Sequence, residues 1–178
     1  MGCCCRNNPA NQTKEATITF LRCELLKDIA GLAYVEGDMI KTDDGHDRHQ
    51  LQDIVEDGNI ERVTRVLDLT FAEVVELCYP YTKMALEDDY RPNDIYHEAE
   101  AYRLHMTVPA TMSKTSIDYL EKLVHELLTC RVMADWTSIT KPSVAAGWNE
   151  KVEDMLKRMK SAMNNRGRRV RRPLSPFA

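Results

Sequence analysis

Apolar residues recur at helical spacing through most of the chain. Leu21, Leu25, Ile29 and Leu32 fall on one face, widened by Leu26 and Ala33. This first helix is expected to start near Thr17 or Thr19, either a good cap, and to stop at Gly37. A polar loop through Lys41-Thr42-Asp43-Asp44-Gly45-His46 follows, then a short helix carrying Leu51, Ile54 and Val55 that ends at Asp57-Gly58. Asn59 is placed to cap a third helix. Its apolar face is Val63, Val66, Leu67, Phe71, Val74, Val75 and Cys78, and Pro80 ends it.

The period then changes. Residues 84–100 are acidic and interrupted by Pro92, which reads as a loop. Tyr102, Leu104, Met106 and Val108 alternate with Arg103, His105 and Thr107, and Pro109 closes the run. A period of two is the mark of a strand with one buried face. A lone strand cannot satisfy its own backbone, so it is expected to pair with an unrecognised strand nearby or with another copy of the chain. Tyr102, Leu104, Met106 and Val108 are therefore candidates for an inter-subunit strand. Caps at Ser113–Ser116 open a helix through Ile117, Leu120, Leu123, Val124, Leu127 and Leu128 to about Met133, with Trp136 in the turn beyond. A last helix begins near Ser143. Trp148, Val152, Met155, Leu156, Met159 and Met163 form its buried stripe, and Asn164-Asn165-Arg166-Gly167 ends it.

Residues 1–15 and 166–178 have no periodicity. The expected fold is mainly α: one helical domain over 16–165 with a strand near 101–109, a disordered N-terminal segment and an extended basic C-terminal arm. No apolar stretch is long enough for a membrane span and no signal-like h-region stands at the start, so a soluble chain is expected, with no membrane partner.

Charge divides the chain unevenly. Residues 1–155 hold 16 Lys and Arg against 28 Asp and Glu, a balance of −12, whereas 156–178 hold 8 basic residues and no acid. Such an arm is expected to meet nucleic acid, an acidic surface, or an acidic patch on a neighbouring copy. Arg166, Arg168, Arg169, Arg171 and Arg172 are the candidate contact residues. They would neutralise phosphates without reading bases, and the lack of interleaved aromatics argues against a stacking platform. A solvated tail that only aids solubility is an equal competitor.

Little else points to chemistry. Cys23, Cys78 and Cys130 fall in apolar patterns and read as buried, reduced thiols. Cys3, Cys4 and Cys5 are adjacent, so they cannot easily share one tetrahedral metal ion. Met1-Gly2-Cys3-Cys4-Cys5 resembles a dual-acylation start, yet Arg6 stands where Ser or Thr is wanted, and a disordered start is preferred. His46 and His49 with Asp43, Asp44 and Asp47 form the densest group of metal-ligand types. They lack EF-hand order, so a charged loop is the better reading. His97 with Glu98 and Glu100 reads as an acidic surface. His105 and His125 have no partner at a telling spacing, and neither a phosphate-binding glycine loop nor a nucleophile elbow occurs. No enzyme, cofactor or metal is expected.

From Ile60 onward the order of elements resembles the head–tail connector (adaptor, or neck) proteins of tailed phages. The resemblance rests on a helix running into Tyr79-Pro80-Tyr81, an irregular segment, and the strand from Tyr102 to Val108 closed by Pro109. Helices over 116–133 and 143–164 and the arm from Arg166 to Ala178 complete it. The region before Gly58 and the cysteine-rich start depart from that pattern. The resemblance implies a non-enzymatic virion protein, a homo-oligomeric ring between portal and tail proteins at the neck, assembled in the host cytoplasm. It also implies a ring lining the DNA channel, with non-specific DNA contact through the arm. The alternative is a small helical nucleic-acid-associated protein that binds phosphates through the arm, and a lipid-anchored adaptor ranks third.

Overall fold

The computed structural model describes residues 13–39, 45–83 and 99–164. The chain runs β1 (Thr13–Leu21), α1 (Arg22–Asp38), α2 (Gly45–Gln52), a 3-10 turn (Asp53–Val55), α3 (Asp57–Leu77), α4 (Tyr79–Thr82), β2 (Ala101–Pro109), α5 (Lys114–Thr140) and α6 (Pro142–Asn164). It is mainly helical with a small two-stranded sheet, as the patterning predicts. Of the N-terminal segment expected at 1–15, residues 1–12 lie outside the described residues, as does the whole arm expected at 166–178.

The main correction is at the start. Residues 13–21 are a strand, not a disordered lead-in passing into a helix. Ala16, Ile18 and Phe20 alternate with Glu15, Thr17 and Thr19, and the β-branched residues suit a half-buried pleat. β1 pairs antiparallel with β2, with Ile18 opposite Leu104 and Phe20 opposite Tyr102. The strand at 101–109 thus finds its partner within the same chain, with Thr17 opposite His105 at a separation of 88 residues; of the two expected partners, an unrecognised strand of the same chain is the one present, and not another copy. Tyr102, Leu104, Met106 and Val108 are all buried in the chain's own core, so their side chains are not offered to a neighbour.

α5 is the axis of the domain. Ser113 caps it, its Oγ accepting from the Ser116 amide at 3.2 Å. The helix runs past the predicted stop at Met133 to Thr140. Val132, Met133, Ala134, Trp136 and Thr137 are all buried, which leaves a narrow polar stripe, Arg131, Asp135 and Ser138, to mark the period. Thr137 is tolerated there because its hydroxyl donates to the Met133 carbonyl at 2.7 Å. After the single residue Lys141, α6 folds back along α5 and seats Trp148, Val152 and Met159 against it. The methionine stripe is therefore packing, with Met159 1% exposed.

α1 lies on α5 through Leu25, Ile29 and Ala33, a spacing of four that keeps one narrow face inward. Full burial of Leu25 and Ile29 contributes roughly 1.5–3 kcal/mol each. α3 packs Val63, Leu67, Thr70 and Val74 toward the core. It begins at Asp57, with Glu56 rather than Asn59 as its cap residue; the Asn59 amide donates instead to the Asp53 carbonyl at 2.9 Å. Pro80 starts the new turn α4, where its missing N–H costs nothing. The inner face of the ribbon covers the core between these helices, and Tyr102 donates to Asp68 on α3 at 2.7 Å.

Candidate interaction surface

The five arginines singled out by charge, Arg166, Arg168, Arg169, Arg171 and Arg172, lie outside the described residues, directly beyond α6. What the described residues supply is the surface of the folded domain.

Three regions of that surface stand out. The outer face of the β1–β2 ribbon is polar: Thr17 Oγ1 and His105 Nδ1 are 3.1 Å apart across the strands. Beside it, Tyr81 of α4 helps to enclose a shallow recess of about 130 Å³ with Glu15, Thr17, His105 and Thr107. The outer face of α6 is covered by i,i+4 ion pairs, Glu153–Lys157 at 3.5 Å and Asp154–Arg158 at 2.8 Å, and is close to neutral. Neither carries a strong field.

The third region is different. Opposite its buried face, α1 presents Glu24, Lys27, Asp28, Gly31, Tyr34, Val35 and Asp38 along one stripe. Tyr34 is 56% exposed, Val35 59% and Met39 77%. A side chain at Gly31 would meet open space. Asp28 receives a bond from His125 of α5 at 2.7 Å, and Asp38 pairs with Arg48 of α2. Those two contacts fasten the stripe to its neighbours while leaving the acids partly exposed. Residues 23–53 hold eight acids and three bases, a balance of −5.

Sequence reasoning found no partner for His125 because Asp28 is 97 residues away. His46 and His49, expected in a charged loop, lie instead on α2; His46 Nε2 is 2.9 Å from Gln50 Nε2, and Asp43 and Asp44 lie outside the described residues. Among the described residues no three His, Cys, Asp or Glu side chains converge as metal ligands. No helix among them is long and apolar enough to cross a membrane.

Cys78 and Cys130 are buried, as their apolar settings predict, but Cys23 is exposed. Burial pushes the Cys78 thiol up to about 12. Burial, with help from the Glu126 carboxylate, pushes Cys130 up to about 11. Both are protonated and unreactive near neutral pH. On α3, Arg62 makes a two-pronged contact with Asp135 of α5 at 2.9 and 3.1 Å, and that hydrogen bond raises the guanidinium above its ordinary value.

No protein-family model, curated protein or solved structure matches the chain. The functional reading therefore rests on the residues themselves.

Proposed function

We propose that the chain is a non-enzymatic virion subunit that forms a ring between the portal and the tail of a phage. In this reading the ring binds portal and tail proteins at the neck of the particle and surrounds the DNA channel, after assembly in the host cytoplasm. The observation that carries the reading is the division of charge. A closed ring is built from heterologous contacts between two unlike surfaces of one subunit. An acidic body and an arginine-rich C-terminal segment are two such surfaces on one chain. The order of elements supports it: α3 running into Tyr79-Pro80-Tyr81, β2 closing on Pro109, then the α5–α6 hairpin and the basic segment.

The test is the mass of the full chain in solution, alone and with a portal protein, by light scattering or native mass spectrometry. The reading expects a discrete closed oligomer, or one formed on adding portal. A chain that stays monomeric and never binds portal rejects it.

Five arginines within seven residues favour a second reading, phosphate binding by a monomer or dimer. That reading requires DNA affinity that falls steeply with salt and is lost on deleting residues 166–172.

A further inference from the structure

We draw no further inference here: the strongest candidate, the exposed apolar patch of Tyr34, Val35 and Met39 along the outer face of α1, carries none because nothing in the structure shows what covers it.

Discussion

The indole N–H of Trp136 donates to the carbonyl of Leu51 at 3.1 Å, a buried bond between residues 85 apart in sequence. It fastens the far end of α5 to α2 at the point where the short helix gives way to its 3-10 turn. Leu51 and Ile54 are fully buried there, so no solvent is at hand to replace the donor. Trp136→Phe should strand the carbonyl and leave a void, costing about 2–4 kcal/mol together. Urea denaturation followed by circular dichroism reads this directly. In a chain of this size each kcal/mol corresponds to roughly 2–4 °C of melting temperature.

Pairing of β1 with β2 inside one chain makes a second prediction. Ile18 and Phe20 are each 3% exposed, facing Leu104 and Tyr102. Phe20→Ala should cost about 3–5 kcal/mol, the usual range for removing a buried ring. A chain beginning at Arg22 should expose the β2 edge and aggregate, which light scattering detects.

These two features also show where the sequence was legible. β2 was readable because its alternation is unbroken and Pro109 marks its end. β1 carries the same alternation in Ala16, Ile18 and Phe20, but Leu21, Leu25 and Ile29 form an equally good helical stripe that overlaps it. The period alone could not say where one ended, and the side on which Leu21 falls was misjudged: it is 43% exposed. The second half of α5 is harder to read, since its buried face widens through Val132, Met133, Ala134, Trp136 and Thr137 and a narrow polar stripe, Arg131, Asp135 and Ser138, is left to count. For the interaction surface, the charge of the two ends was plain, but its location was not. The exposure of Tyr34 and Val35 depends on which face Leu25, Ile29 and Ala33 turn inward, and the His125–Asp28 contact is wholly non-local.

Two glycines on α1 should respond oppositely to alanine. A Cβ at Gly31 would meet open space, so Gly31→Ala should stabilise the helix by up to about 1 kcal/mol. A Cβ at Gly37 would lie 2.8 Å from Cγ and 2.9 Å from Nε2 of Gln52, against the length of that side chain. Gln52 Nε2 is itself buried without a hydrogen-bond partner among the described residues, so the side chain is already tightly placed. Gly37→Ala should lose the propensity gain and cost about 1–3 kcal/mol. Paired chemical denaturation curves test the contrast.

The thiols set a stability limit at high pH. Cys78 is held protonated in the fold up to about 12, against an ordinary value of 9.0, and Cys130 up to about 11. Between these values the folded chain binds more protons than the unfolded one, so stability is lost as pH rises from about 9 toward 12. For Cys78 the loss approaches about 4 kcal/mol at the top of that window. Urea midpoints should fall between pH 8 and 10.5, and less steeply in Cys78→Ala. Iodoacetamide at pH 8, read by peptide mapping, should label Cys23 in the folded chain and reach Cys78 and Cys130 only after unfolding.

The two tryptophans offer the sharpest comparison. Both are nearly buried, Trp136 7% and Trp148 4% exposed, so burial of the ring alone gives them similar weight. Their N–H groups differ. Trp136 has its carbonyl, whereas Nε1 of Trp148 is buried with no partner among the described residues, and Lys151 sits 3.8 Å above the centre of that ring. Phenylalanine at 148 removes an unsatisfied donor, which offsets about 1–3 kcal/mol of the lost packing and weakens the cation–ring contact by under about 1 kcal/mol. Trp148→Phe should therefore cost less than Trp136→Phe by about 1–3 kcal/mol, with both measured by urea denaturation under one set of conditions. Equal losses would mean that ring volume decides the outcome and the Leu51 bond contributes little. A larger loss at 148 would mean that its indole finds an ordered water the carbonyl at 51 does not need.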